Sequence, residues 1–264
     1  MKKLFLLFLF LGISTTVALA TPLCTDVVTT AASFQAQGNV GCLFGDKVFY
    51  NFTYSYTLEN STGGIIGSNV PGTAVTVLFS DLGGQANQPV VTFLANWDVT
   101  NGQQGDVRIT YNVSAPPAGA MIDASLYLEG YVSNVSPGVQ ARSYISGAES
   151  ICCPGPGSSV DHLGVTLNPL HTATGLIFES GTSQVSFPAA TQISISKDIF
   201  LTAGTSAGPY PTGNEATLTR IDQGLIELSS APEPASVLLI ALGLLPIVYL
   251  KRKLRTKIQP NPTA

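Results

Sequence analysis

Four cysteines, two histidines, a Gly-x-Ser-x-Gly pentapeptide and one cluster of side-chain oxygens are the features of this chain whose types and spacing invite chemistry. Gly204-Thr205-Ser206-Ala207-Gly208 has the form that holds a nucleophilic serine on a strand-to-helix turn, but Pro209-Tyr210-Pro211 follows where the helix would have to begin. A loop tip is the expected reading. Asp161 precedes His162, yet neighbours in sequence do not make a triad, and His171, nine residues further on, adds no ligand spacing. Asp98, Asn101 and Asp106 put oxygen donors around one loop and form a weak calcium candidate, although their spacing matches no EF-hand. Gly-rich phosphate loops, HExxH and CxxC are missing from the sequence. No catalytic residue, resident metal or cofactor is therefore assigned, and the chain reads as a non-enzyme.

The elements that would carry these residues are strands. "KVFYNFTYSYTL" alternates, with Val48, Tyr50, Phe52, Tyr54, Tyr56 and Leu58 on one face and Lys47, Phe49, Asn51, Thr53, Ser55 and Thr57 on the other. Its aromatic row is expected in a core, not as a sugar-stacking platform. "VRITYNV" (107–113) and "TQISISKDIFL" (191–201) repeat the pattern, the latter through Ile193, Ile195, Ile199 and Leu201. Further strands are predicted at 73–79, 90–98, 121–133, 139–149, 183–187 and 216–229. Gly/Pro/Asn punctuation between them predicts antiparallel hairpins, with "TNGQQGD" and "GTSAGPYPTGNE" as two of the tips. No repeat of 20 to 50 residues is present. The expected fold class is all-β, an antiparallel β-sandwich of jelly-roll-like form over residues 21–230.

Composition agrees with strands and turns. Charged residues are 11% of the 264, while Gly (26) and Pro (17) are plentiful. Charge is segregated: seven of twelve basic residues lie in the first three and last fourteen positions, leaving five against fifteen acidic residues over 21–230. Nucleic acid is excluded as a natural partner of so acidic a body.

"MKKLFLLFLFLGISTTVALA" (1–20) has a dilysine start, an apolar run and small residues at Ala18 and Ala20, the pattern of an export signal cut after Ala20. The apolar run from Leu4 to Ile13 would rise only about 15 Å as a helix, half a bilayer core, which argues against a retained anchor. Export places all four cysteines in an oxidising compartment. Of three possible pairings, Cys24–Cys42 is favoured because it closes a short N-terminal loop. Cys152 and Cys153 then form a vicinal bridge or stay as thiols.

At the other end, sixteen uncharged residues, Ala235 to Leu250, stand between Pro232-Glu233-Pro234 and a basic cluster led by Lys251, Arg252 and Lys253. As a helix they would span about 24 Å against a core near 30 Å, so the span is short, and Pro246 weakens it. The basic end is expected in the cytoplasm and the body outside. This three-part arrangement over 231–257, followed by a polar tail at 258–264, resembles the PEP-CTERM sorting signal of exopolysaccharide-producing Gram-negative bacteria. The resemblance implies one C-terminal transmembrane helix, recognition and cutting by an exosortase, and transfer of the body to the cell surface or matrix. "TKIQPNPTA" departs from the pattern, in which such tails commonly stop soon after the arginines.

"GCLFGDKVFYNFTY", with the earlier Cys24, and "ISISKDIFL … ATLTRIDQGL" are similar to segments of PEP-CTERM proteins of unassigned role, and that similarity also supports Cys24–Cys42. The leading expectation is an exported structural or adhesive surface protein linked to exopolysaccharide and biofilm. A polysaccharide- or ice-binding module displayed in the same way is the alternative, and a secreted hydrolase with an unrecognised site is the third.

Overall fold

The computed structural model describes residues 21–82, 88–134, 143–152, 160–167, 175–204 and 215–227. Twelve strands lie within them: β1 (Cys42–Phe44), β2 (Lys47–Glu59), β3 (Ile65–Gly67), β4 (Thr76–Asp81), β5 (Pro89–Thr100), β6 (Gln104–Ser114), β7 (Met121–Asn134), β8 (Tyr144–Cys152), β9 (Val160–Leu167), β10 (Gly175–Ala190), β11 (Gln192–Thr202) and β12 (Glu215–Glu227). They form a seven-stranded sheet in the order β1-β2-β6-β11-β8-β9, with β3 beside β2, and a five-stranded sheet in the order β10-β7-β12-β5-β4. Every strand ladder is antiparallel. The apolar side chains of both sheets meet in one core, the expected result of period-two patterning on strands with a single wet face.

Two predicted hairpins are corrected. The chain leaves β5 in the five-stranded sheet, turns at Asn101 and Gly102, both with positive φ, and enters β6 in the other sheet. β11 and β12 likewise belong to opposite sheets, so "GTSAGPYPTGNE" joins two layers and tips no hairpin. Turn-forming residues signal a reversal but not which sheet receives the next strand.

The single apolar face expected on β2 is also corrected. Asn51, at φ 55, sits in a register shift between Tyr50 and Thr53 against β6, and the extra residue reverses which parity points inward. Before it Lys47 and Phe49 are buried; after it Phe52, Tyr56 and Leu58 are. Tyr50 is turned outward, where its hydroxyl accepts from Gln192 Nε2 at 2.5 Å. Lys47 is turned inward, against Glu227 and Asp46.

Two short helices not foreseen in the sequence, α1 (Cys24–Val27) and α2 (Ala31–Gln35), close one end. Thr30 and Ser33 cap α2 reciprocally, and its Phe34 stacks on Phe52 with ring centroids 4.4 Å apart. The favoured disulfide is present: Cys24 is bonded to Cys42, both fully buried, across 18 positions. By loop-closure arithmetic it is worth about 3 kcal/mol. Gly41 makes the approach possible, since a Cβ at its φ of +69 would stand 2.3 Å from the Phe49 carbonyl oxygen. Positions 1–20, including Ala18 and Ala20, and 228–264, including Pro232, Glu233, Pro234, Lys251, Arg252 and Lys253, lie outside the described residues. Among the described residues no helix is long and apolar enough to cross a membrane.

Candidate functional site

The outer face of the five-stranded sheet concentrates the exposed aromatic and ionic side chains. Register aligns them in rows across strands: Phe178–Tyr131–Thr217–Asp98, then Ser180–Glu129–Arg220–Leu94, then Thr182–Tyr127–Asp222–Thr92. Tyr131 and Phe178 are 38% and 51% exposed, and their rings meet edge to face at 5.4 Å. Large apolar rings held in water at neighbouring positions are a docking surface in waiting.

A fixed polar array lies beside them. Arg220 donates from Nε to Asp222 Oδ1 at 2.9 Å and pairs Nη2 with Oδ2 at 2.7 Å, while its guanidinium stands 5.5 Å over the Tyr127 ring. That two-point bond holds the Arg220 pKa above its usual value. Tyr127 donates to Glu129 Oε2 at 2.8 Å, and burial together with the Glu129 carboxylate raises its phenol pKa. Thr219 donates from its hydroxyl to the Glu129 carbonyl at 3.0 Å.

The position of Arg220 is a consequence of irregular backbone. Ala216 and Leu218 point inward, but the ladders of β12 with β5 and β7 both shift between Leu218 and Arg220. Beyond the shift Ile221, Gln223 and Leu225 point inward. Arg220 would follow Leu218 into the core without that bulge; with it, Arg220 faces water.

No family model matches this chain. No curated protein matches it either. Solved structures with similarity include the enzymatically active domain of tailspike protein 4 of bacteriophage CBA120, at 14% identity and TM-score 0.26, covering 67% of this chain and 19% of that one. A carbohydrate-binding module of the β-sandwich superfamily matches at 10% identity and TM-score 0.28, covering 77% and 63%, and a family 16 carbohydrate-binding module at 12% and 0.25, covering 56% and 84%. This chain thus spans 19% of the tailspike chain's length. Likenesses at these TM-scores carry no argument about its role.

The calcium candidate is not assembled. Val99 and Trp97 point into the core from β5, which sends Asp98 outward on the five-stranded sheet, where Asn69 Nδ2 donates to it at 3.0 Å. Asp106 leaves β6 on the outer face of the other sheet, and Asn101 serves the turn between them. Among the described residues no three His, Cys, Asp or Glu side chains gather as a metal site. The alternation that gives each strand a wet face also divides the loop's oxygen ligands between two layers.

Asp106 has a different property. Its Oδ2 meets Arg108 Nη2 at 2.9 Å, while burial, followed by a hydrogen bond shared with Asp198, pushes its pKa up to about 6. A folded-state value above the unfolded one gives stability that is complete below about pH 4 and lost as pH rises through about 6. Asp106→Asn is therefore expected to stabilise the protein at neutral pH by up to about 1 kcal/mol, after solvent screening, and to leave it unchanged in acid. Melting of both proteins across this range checks the sign; an equal offset at every pH would refute it.

The remaining sequence candidates are dispersed. Asp161 and His162 pair with Ile151 and Ser150 along the β8–β9 ladder. Cys152 is exposed at the end of β8. Cys153, His171 and Ser206 lie outside the described residues. The seven-stranded sheet's outer face carries a hydroxyl row, Thr53–Thr110–Ser196–Ser150, but the next row, Ser55–Arg108–Asp198–Ala148, interrupts it with charge. No regular ice-matching array forms among the described residues.

Proposed function

We propose that the chain is an exported, non-enzymatic surface protein that binds polysaccharide across the outer face of its five-stranded sheet. The observation that carries this is the adjacency of the exposed Tyr131–Phe178 pair to the Arg220–Asp222 and Tyr127–Glu129 array. Sugar rings present apolar C–H faces and equatorial hydroxyls together, and a partner needs flat rings beside prepaid donors and acceptors. Arg220 and Asp222 hold each other in place before any ligand arrives, which lowers the ordering cost of binding. The acidic body favours neutral glycans over strongly anionic ones.

Delivery rests on the two ends of the chain. The 1–20 signal and the PEP-CTERM-like 231–257 segment support export, a one-span hold with the body outside, and exosortase processing near Pro232-Glu233-Pro234. Intact-mass analysis of surface-extracted protein distinguishes processing from simple anchoring, since a product still ending at Ala264 leaves only the anchor.

Binding is tested with the purified full-length protein on a neutral-glycan array and by affinity electrophoresis. Tyr131→Ala with Phe178→Ala is expected to weaken retention about tenfold, because the two half-covered rings together contribute about 1.4 kcal/mol. Both side chains are solvent-facing, so the melting temperature should hardly move. Wild-type protein that retains no glycan, or a double variant that binds equally well, sinks the proposal.

A further inference from the structure

The centre of the core holds a lysine, a glutamate and a glutamine in mutual contact. Lys197 of β11 and Glu149 of β8 are directly opposite in register, and both side chains are wholly buried. Gln223 of β12, in the opposite sheet, is fully buried as well, and Lys197 Nζ contacts both Glu149 Oε2 and Gln223 Oε1. Gln223 Nε2 donates to the Gly224 carbonyl at 3.1 Å, which directs its carbonyl carbon and oxygen toward the lysine. Two buried oxygens in this neighbourhood, Glu149 Oε1 and Tyr111 Oη, find no hydrogen-bond partner among the described residues.

These groups are costly as a structural ion pair. Dehydration lowers the Lys197 pKa and raises that of Glu149, each more than their mutual attraction opposes it, so both move toward their neutral forms. A neutral amine is a nucleophile and a protonated carboxyl is a proton donor. Water, which would compete for an activated acyl group, is kept away by the buried neighbours in register: Ile109 beside Lys197, Leu126 beside Gln223 and Leu163 beside Glu149.

We propose that Lys197 and Gln223 form an intramolecular isopeptide bond with Glu149 as the acid-base group. Lys197 Nζ attacks Gln223 Cδ, and a new C–N bond forms. Glu149 takes a proton from Nζ and delivers one to Nε2; the Cδ–Nε2 bond breaks and ammonia leaves. Glu149 ends as it began, and no oxidant, reductant or cofactor is consumed. The product ties β11 of one sheet to β12 of the other, so that the two layers cannot separate even when the core is stretched or locally opened. Lys47 is not an equivalent site, because both of its partners, Asp46 and Glu227, are carboxylates and neither holds an amide nitrogen that could leave as ammonia. The cross-link is independent of glycan binding and would stand if that reading failed.

Mass spectrometry of the denatured, reduced full-length protein decides the matter without any variant. The expected mass falls short of the mass of the same chain's sequence by one ammonia, and proteolysis should yield a branched peptide joining Lys197 to Gln223. Glu149→Gln, which keeps shape and volume, is expected to show the full mass and no branched peptide. A wild-type protein of full mass overturns the proposal, as does loss of one water with Lys197 joined to Glu149.

Discussion

Lys197→Met is expected to lower stability by at least about 3–5 kcal/mol, because it leaves Glu149 buried without its amine. Combining it with Glu149→Leu removes the stranded carboxyl and should recover that part of the loss. It should not recover all of it. A tie between positions 197 and 223, which are 26 apart, restricts the unfolded chain as a disulfide does, and the same loop-closure arithmetic gives about 3–4 kcal/mol. The residual deficit of the double variant therefore measures the covalent bond, and the recovered part measures the burial of a carboxyl without its amine. Domains of this kind have only about 5–15 kcal/mol in total, so the single variant is expected to be largely unfolded while the double remains measurable in urea. A single variant within about 1 kcal/mol of wild type would show that neither an unpartnered buried carboxyl nor a tie matters at this position.

The strand positions were legible because alternation runs unbroken through β6 and β11 and survives on either side of the bulge in β2, and the predicted segments at 47–58, 107–113, 121–133 and 191–201 fall on β2, β6, β7 and β11. Sheet membership was not legible, since a turn such as Thr100–Gln103 looks the same whether the chain returns to its neighbour or crosses to the facing layer. The central cluster was half visible. Ile193, Ile195, Ile199 and Leu201 define an inward face on which the one missing position is Lys197, and a charge on the buried parity is a signal in its own right. Gln223 gave no such signal, because the bulge after Leu218 reverses the parity that alternation assumes. The same is true of Lys47 ahead of the Asn51 bulge. The outer aromatic face was invisible for another reason: Tyr131, Phe178 and Arg220 belong to β7, β10 and β12, and only the pairing order of non-consecutive strands brings them together.

Trp97→Ala is expected to cost about 3–5 kcal/mol and to lower the melting temperature by about 10 °C. Trp97 is the chain's single tryptophan and is fully buried. Its Nε1 donates to Tyr54 Oη at 2.9 Å, and Tyr54 in turn donates to the Val70 carbonyl at 2.9 Å, so one side chain fills the core and anchors a polar relay. Burial accordingly pushes the Tyr54 pKa up to about 12. Trp97→Phe keeps most of the volume but removes the donor, and is expected to cost only about 1–2 kcal/mol. The position also bears on both proposed sites. Trp97 lies opposite Leu218, the last regular pair before the bulge that sends Arg220 to the outer face of the sheet and Gln223 to the lysine. Removing the indole opens space where that bulge must be held, so Trp97→Ala should weaken glycan retention and slow isopeptide formation together, while Trp97→Phe should leave both intact. Calorimetry for stability and the mass measurement for the bond check this without tryptophan fluorescence. A Trp97→Ala protein that melts normally, or one that melts early yet binds and cross-links as wild type does, would detach the bulge from the core beneath it.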